Sequence, residues 1–260
     1  MDDPDVPITS VKRSYQLVDE VRERGRAGVT ELSAALDLPK STVHNHLRTL
    51  ERLGYLGKEG GKYRLGAAVL GLGRAARETR DLYVHGRAAA RSLSEQGGVH
   101  SQLVVEENGM GAILLATRRD ADVGSGSVGR RYPTHVHLHT NAPGKAILAE
   151  LPADRVDAIL ERHGLPARTG RTVTDPEELR EEIDLVRRRG YAVDWGELIE
   201  GMVGVASPVV TGDTVHGAIA AYGPAQEIQS RITDADLPSL VSQQAETVRA
   251  DIVFASGESG

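Results

Sequence analysis

The segment HVHLHTNAPGKA, residues 135–146, places three imidazoles at alternate positions. They belong to His135, His137 and His139. In an extended strand alternate side chains share one face, about 6.5 to 7 Å apart, so two imidazoles could share a metal ion with a later carboxylate. The candidate carboxylates are Asp194, Glu197 and Glu200. Zinc enzymes usually carry a tighter motif such as His-Glu-x-x-His, so we predict no metal site and keep this one as an alternative.

The chain has few other features of an enzyme. It contains no cysteine, which excludes thiol nucleophiles, disulfides and thiolate-bound metals and is typical of a reducing compartment. No serine lies in a Gly-x-Ser-x-Gly motif, and the stretch GSGSVG at 124–129 does not match a phosphate-binding glycine loop. We therefore predict that the protein is not an enzyme.

The turn that follows the histidines predicts a ligand site of another kind. Thr140 or Asn141 is suited to cap the helix APGKAILAEL, and Pro143 is tolerated in a first turn. Free N–H groups at such a helix start create a positive potential that suits a carboxylate. We expect a bound organic acid to lie here, with His139 close enough to pack against it or donate to it, and Lys145 turned outward.

Charge is distributed unevenly along the 260 residues. The net charge is -6, yet residues 7–66 carry eleven Lys and Arg against seven Asp and Glu, while residues 67–260 carry 20 against 27. A basic head on an acidic body indicates that any nucleic-acid contact is confined to the head. No signal sequence begins the chain, and no segment approaches the roughly 20 apolar residues that span a bilayer. We predict a cytoplasmic protein without a membrane partner.

The head has the pattern of a winged helix-turn-helix. Apolar side chains recur at helical spacing in its first and third helices, and the second is shorter. The predicted inward faces are Val11, Tyr15, Val18 and Val21 in the first helix and Val43, Leu47 and Leu50 in the third. We expect Thr9 or Ser10 to cap the first helix, Thr30 the second, and Gly54 to end the third. Gly60 and Gly61 then form the turn of a hairpin.

The third helix and the hairpin carry the side chains of a DNA-binding surface. If the apolar face points inward, Arg and Asn side chains point outward, where they can bind guanine and adenine edges. Hairpin cations can contact the phosphate backbone. The predicted DNA-binding residues are Lys40, Ser41, Thr42, His44, Asn45, Arg48, Arg52, Lys58, Lys62 and Arg64. One head covers one half-site of double-stranded DNA, so a dimer on a pseudo-palindromic operator is expected.

Beyond the head, strand and helix patterns alternate in a way that predicts an α+β domain around a largely antiparallel sheet. VHSQLVVEE, AILLATR, VGVASPVV and VHGAIAAY are the clearest strands, and a long final helix is expected from TDADLPSLVSQQ onward. The predicted organisation is a flexible tail over 1–9, the winged helix over 10–66, a linker helix over 67–80, the second domain over 81–255 and a disordered tail over 256–260.

Several segments, in this order, resemble the IclR family of transcriptional regulators. They are PKSTVHNHLRTLERLGYL, YRLG, LYVHGRAAARSLSEQGG, HTNAPGKAILAEL, RRRGYAVDWGELIEGMVGVASPV and GAIAAYGPA. The resemblance covers about residues 10–254. It implies a carboxy-terminal effector domain of GAF-like fold, assembly as a homodimer or a dimer of dimers, and control of catabolic genes by a small organic acid, aromatic acid or sugar-degradation product.

The resemblance also implies the effector pocket. Together with the helix start, its residues are Val128, His139, Asn141, Ala142, Pro143, Gly144, Asp194, Gly204, Ala220 and Tyr222. Ala220 and Tyr222 depart from the family, which often has small polar residues in this strand, and His137 replaces a usual proline. We predict a ligand-responsive repressor or activator with no cofactor beyond a carboxylate or sugar-derived effector. The alternatives are a metal-responsive regulator that uses the histidines and a metal-dependent enzyme fused to a DNA-binding head.

Overall fold

In the computed structural model, which describes residues 6–118, 121–122 and 135–257, the chain divides into two compact units. The first comprises residues 1–76 and the second residues 77–260. The helix α4 (Ala68–Glu78), which corresponds to the predicted linker, crosses the boundary between them. None of the helices in the described residues is both long and apolar enough to span a membrane.

The first unit has the predicted winged helix-turn-helix fold. Its elements are α1 (Thr9–Arg24), α2 (Val29–Leu36), α3 (Lys40–Arg52), β1 (Leu56–Glu59) and β2 (Lys62–Leu65). The two strands pair antiparallel around Gly60 and Gly61, whose φ angles of 57° and 78° are those that a two-residue primed turn requires. Gly54 has a φ of 81° just after α3, which confirms its predicted role as the helix stop.

The predicted inner face of α1 was only partly right. Val21 is buried as predicted and packs in the core with Leu17 and Val43, but Val11 and Tyr15 are 49% and 69% exposed. The inner face also includes a polar residue, Ser14, whose hydroxyl bonds to the imidazole of His46 at 2.8 Å. A polar side chain at an inward position hid the true periodicity.

The predicted caps of these helices were also wrong. α1 begins at Thr9 after Ile8, and α2 begins at Val29 after Gly28, so neither cap residue has a side-chain acceptor of its own. Instead the Glu31 carboxylate accepts the Gly28 N–H at 2.7 Å. Glu31, in the first turn of α2, thus accepts the N–H of the residue before the helix, as the glutamate of a capping box does.

The second unit is an α+β domain. Its elements after α4 are α5 (Asp81–Gly97), β3 (His100–Glu107), β4 (Met110–Arg118), β5 (Ala121–Asp122), β6 (His135–His137), α6 (Ala142–Glu150), α7 (Ala153–His163), α8 (Pro176–Arg189), β7 (Ala192–Asp194), β8 (Met202–Thr211), β9 (Thr214–Pro224), α9 (Ala225–Thr233) and α10 (Asp236–Gly257). α4 and α5 are separated at residues 79–80, close to the predicted end of the linker helix at residue 80.

The strands of the second unit form one antiparallel sheet in the order β5-β4-β3-β9-β8-β7, with β6 also paired to β4. Alternate residues of β9 enter two different apolar clusters. Ile219 packs with residues of α5, α9 and α10 on one face, while Ala220 and Tyr222 pack with residues of α6, α7 and α8 on the other. The start of α6 and the side chain of Tyr222 therefore meet on the same face of the sheet.

The predicted long final helix is α10, which begins at Asp236 and not at Thr233. A shorter helix that was not predicted, α9, ends at Thr233, and the chain turns between the two helices at Ala235, which has a φ of 60°. α10 continues through Gly257, so Ser256 and Gly257 belong to a helix and not to a disordered tail. At the other end, Thr9 is the first residue of α1 and not part of the tail over 1–9.

Candidate functional site

The outer surface of α3 carries the side chains predicted to bind DNA. Val43 and Leu47 are buried, and Ser41, His44, Asn45 and Arg48 are exposed together with Lys40 and Arg52, while Thr42 is half-buried. Lys40, Arg48 and Arg52 form no ion pair with any described residue of the first unit. Their charges are therefore available to an external anion such as a phosphate, or to a base edge.

The three cations of the hairpin already have weak partners. Lys62 pairs with Glu31 at 2.8 Å, Arg64 lies 3.8 Å from Glu59, and the Lys58 ammonium lies 5.3 Å from the centre of the Tyr63 ring. Exposed ion pairs of this kind contribute little to stability. A DNA phosphate could replace these partners at low cost, since the side chains are at the surface.

The histidine run does not form the continuous strand that the metal alternative required. β6 ends at His137, and residues 138–140 turn in a 3-10 helix that carries His139 into the interior, where it is 2% exposed, while His135 stays at the surface. The ring centroids of His137 and His139 are 5.7 Å apart, and His163 of α7 approaches His137 to 6.4 Å. The three alternate imidazoles therefore do not share one strand face.

No three side chains of His, Cys, Asp or Glu in the described parts of the chain are placed to hold a metal ion together. The carboxylates considered for such a site have other positions: Asp194 accepts two backbone N–H groups, Glu197 pairs with Lys145, and Glu200 is exposed. Burial lowers the pKa of His139 to about 4, so its ring is neutral at pH 7. Its Nε2 donates to the carbonyl of Pro166 at 3.2 Å and is thus not free to donate to a ligand.

The start of α6 is capped as predicted but leaves no donor free. Asn141 is the N-cap, and its side-chain oxygen accepts the Gly144 N–H at 2.9 Å. The Ala142 N–H, which we expected to be free for a carboxylate, donates to the hydroxyl of Tyr222 at 3.1 Å. An anion at this helix start would have to displace that hydroxyl.

Lys145 points inward, which contradicts the sequence-based expectation. It is 1% exposed, and its ammonium lies 2.5 Å from a carboxylate oxygen of Glu197 and 2.5 Å from one of Glu182. Glu197 is also buried and belongs to the loop between β7 and β8, whereas Glu182 lies on α8 and is partly exposed. The lysine therefore joins α6, α8 and this loop through charge-assisted hydrogen bonds.

A small cavity of about 10 Å³ lies beside Tyr222 and Asp194. Gln102, Leu198, Ile199 and Met202 complete its lining. Sequence analysis missed these four residues, although an amide within the apolar run of β3 was a usable signal. Asp194 is 1% exposed and accepts N–H groups of Gly196 and Glu197 at 2.9 and 2.7 Å, which fixes the beginning of the loop that carries two of the lining residues.

The other described residues predicted for the pocket do not line this cavity. Ala142, Pro143 and Gly144 are buried at the start of α6, and a methyl group on Gly144 would overlap the carbonyl oxygen of Leu138. Ala220 is buried in β9 and Gly204 in β8. Val128 lies outside the described residues.

Asp194 gives the second unit a pH-dependent term in its stability. Burial raises the pKa of Asp194 to about 6, although hydrogen bonds from the loop and the charge of Lys145 oppose the rise. A carboxyl group whose pKa is raised by folding contributes its full stability below the unfolded pKa and loses it as the pH rises through the folded pKa. An asparagine in its place does not titrate and would show no such loss. We therefore expect the Asp194→Asn variant to gain stability relative to the wild type between about pH 4 and about pH 7.

Urea unfolding followed by the fluorescence of Trp195, the single tryptophan, measures this difference in the second unit. The matched control is Asp213→Asn, because Asp213 is exposed in the turn between β8 and β9. Its difference from the wild type should change little over the same pH range. A pH-independent difference for Asp194→Asn would contradict the predicted titration.

Two family models match the chain. The IclR helix-turn-helix domain matches residues 10–60, and the bacterial transcriptional regulator IclR C-terminal domain matches residues 115–250. Among curated relatives, the probable HTH-type transcriptional regulator ArcR of Halobacterium salinarum is 31% identical over 93% of this chain and 92% of its own. The glycerol operon regulatory protein of Streptomyces griseus is 31% identical over 78% of this chain and 79% of its own.

Solved structures share the fold along nearly the whole chain. An IclR homolog from Microbacterium hydrocarbonoxydans, complexed with 4-hydroxybenzoate, covers 94% of this chain and 99% of its own with a TM-score of 0.76 at 21% sequence identity. At that identity the likeness concerns the fold alone. The order of winged helix, linker helix and antiparallel sheet domain is thus common to this chain and that structure.

Proposed function

The chain belongs to the IclR family of transcriptional regulators, and we propose that it binds a pseudo-palindromic operator as a homodimer or a dimer of dimers and senses a small organic acid or sugar-degradation product. Members of this family are regulators and not enzymes. The observation that carries the proposal is the exposed surface of α3, whose cations form no ion pair with the described residues, in the unit that has a net positive charge over residues 7–66. We also propose that the protein acts in the cytoplasm, where a bacterial transcriptional regulator meets its operator.

On the DNA side, we assign base contacts to Asn45 and Arg48 and backbone contacts to the hairpin. Asn45, Arg48 and Arg52 share the exposed side of α3, which is the side that a recognition helix turns toward the major groove. Ser41 and Thr42 lie in its first turn, where hydroxyls and the helix dipole favour a phosphate. Lys58, Lys62 and Arg64 then lie on the strands of the wing.

On the ligand side, we place the effector at the cavity beside the start of α6. Polar groups from three separate elements converge there: the amide of Gln102 on β3, the carboxyl of Asp194 on β7 and the hydroxyl of Tyr222 on β9. Small-molecule sites are typically lined by apolar side chains together with a small number of polar groups that point to the same place. An acid that displaces the Tyr222 hydroxyl would gain the Ala142 N–H as a donor.

Regulation requires that the effector bind the DNA-competent and the DNA-incompetent states with different affinities. The loop between β7 and β8 is the element on which a ligand could act, because it provides Leu198 and Ile199 to the cavity and Glu197 to Lys145. Displacement of this loop would change the contacts of α6 and α8. The carboxylates of Glu182 and Glu197 would then no longer share one ammonium.

The test measures DNA affinity in the presence of candidate effectors. DNA sites selected from a random pool by the wild-type protein are labelled, and binding is followed by fluorescence anisotropy with acetate, 4-hydroxybenzoate and a panel of central metabolites. We expect at least one compound to change the DNA affinity by about 5-fold or more, the lower end of ordinary allosteric coupling. DNA affinity that no compound changes would refute the sensing role, and failure to select any DNA sequence would refute the operator.

A further inference from the structure

The start of α6 is occupied by a side chain of the protein itself. Pro143 has no N–H, and the donors of Gly144 and Lys145 bond to the side chain and the carbonyl of Asn141 at 2.9 and 3.0 Å. The remaining donor, the Ala142 N–H, is taken by the hydroxyl of Tyr222, which in turn bonds to the Asp194 carboxyl. The phenol thus makes the two polar contacts that a bound effector would make at this point.

The ring of Tyr222 fills the space that a ligand would need. It is 5% exposed and lies so close over Gly204 that a methyl group there would overlap its Cε1 atom. The cavity that remains beside it, about 10 Å³, is no larger than one water molecule requires. This cavity among the described residues is therefore too small for a metabolite while the ring stays in place.

The surroundings of the ring retain polar groups that its departure would expose to a ligand. Gln102 is 6% exposed and lines the cavity, yet its side-chain amide has no hydrogen-bond partner within the described residues. The residue therefore offers a polar group to whatever occupies the cavity. Removal of the phenol would add the Ala142 N–H and the Asp194 carboxyl to this set.

We propose that Tyr222 is an internal competitor for the effector site and that the site, once vacated, accepts a monocyclic phenol. This proposal rests on the proposed function, which locates the effector at this cavity. It identifies Tyr222 as the residue that limits the access of a ligand to the site. The ring must move before a ligand binds, so the apparent affinity of any effector is reduced by the fraction of molecules in which the ring is displaced. Tyr222 thereby determines both the size of the effector and the concentration at which it acts.

The experiment uses Tyr222→Ala and phenol, which has the atoms of the tyrosine side chain beyond its Cβ, the atoms that the substitution removes. Isothermal titration calorimetry on the full chain should detect binding of phenol to this variant but not to the wild type or to Tyr222→Phe, which keeps the ring. Benzene, which lacks the hydroxyl, should bind the variant about 5-fold or more weakly, because the Ala142 N–H then stays unpaired. Equal binding of phenol to variant and wild type would overturn the proposal, and so would equal binding of benzene and phenol.

A rescue measurement covers the case in which Tyr222→Ala does not fold alone. Phenol should then restore a cooperative urea transition of the variant at a lower concentration than benzene, because a ligand that binds the native state stabilises it by mass action. Equal rescue by both compounds, or rescue by neither, would overturn the proposal. DNA binding separates this proposal from the proposed function. If phenol binds the variant without changing its DNA affinity, the competitor role stands and the coupling to DNA fails. If another acid changes DNA affinity while phenol finds no site, the regulator stands and the role of Tyr222 fails.

Discussion

Replacement of Lys145 by methionine should lower the free energy of unfolding of the second unit by about 3 to 5 kcal/mol at pH 8, the usual cost of removing one partner of a buried ion pair. Methionine has a similar length and fills most of the space, so the loss comes from the carboxylate left behind. Glu197 is buried and would have to hold its charge without the ammonium that now lies 2.5 Å away. Glu182 is partly exposed and can be solvated, so it adds less.

The loss should depend on pH in a defined direction. Burial raises the pKa of Glu197 to about 7 even with Lys145 present, and removal of the lysine raises it further. At about pH 5 the carboxyl of the variant is therefore neutral and the destabilisation should be smaller than at about pH 8. Urea unfolding followed by Trp195 fluorescence at the two pH values measures the difference between variant and wild type.

The double variant Lys145→Met/Glu197→Gln is the control that isolates the buried charge. It removes the ammonium and the carboxylate together, so at pH 8 it should be more stable than Lys145→Met alone. The coupling is read from the double-mutant cycle that these variants form with Glu197→Gln and the wild type. A destabilisation that is equal at both pH values and unchanged by Glu197→Gln would mean that Lys145 acts through packing only.

Lys145 also illustrates which features of this site the sequence could not predict. Helical periodicity assigns a polar residue to the outside only when one side of the helix faces water. Every residue of α6 from Ala142 to Ala149 is buried. The spacing of its apolar residues therefore cannot identify an exposed side of the helix. The partner Glu197 is 52 positions away in sequence, and only the folded chain brings it to the ammonium. The outward orientation was therefore a reasonable expectation and a wrong one.

Local signals predicted the elements better than the contacts between them. The Asn141 cap, the helix stop at Gly54 and the hairpin at Gly60 and Gly61 each depend on a few neighbouring residues, and the structure confirms all three. The bond from the Ala142 N–H to the Tyr222 hydroxyl joins residues 80 positions apart. Which donors a helix start leaves free is decided by such distant partners, and for that reason the expected free N–H groups were absent here.

Replacement of Arg48 by alanine should weaken binding to the selected DNA by about 1 to 3 kcal/mol if its guanidinium contacts a base edge. Arg48 is exposed on the side of α3 opposite Val43 and Leu47, so the change removes no core contact. Binding to a scrambled sequence of the same length should weaken less, because a base contact contributes only to the specific complex. Fluorescence anisotropy with both DNAs at one fixed salt concentration gives the two affinities.

Arg22→Ala is the matched control. Arg22 is exposed on α1, where it pairs with Asp19, so this substitution also removes one positive charge but leaves α3 unchanged. If Arg48→Ala and Arg22→Ala weaken binding to both DNAs equally, Arg48 contributes only its charge. If Arg48→Ala weakens both DNAs by the same factor while Arg22→Ala has no effect, the guanidinium contacts a phosphate and base discrimination passes to Asn45. Only a preferential loss on the selected sequence assigns Arg48 to a base, and the identity of that base then follows from the positions at which the variant relaxes its preference.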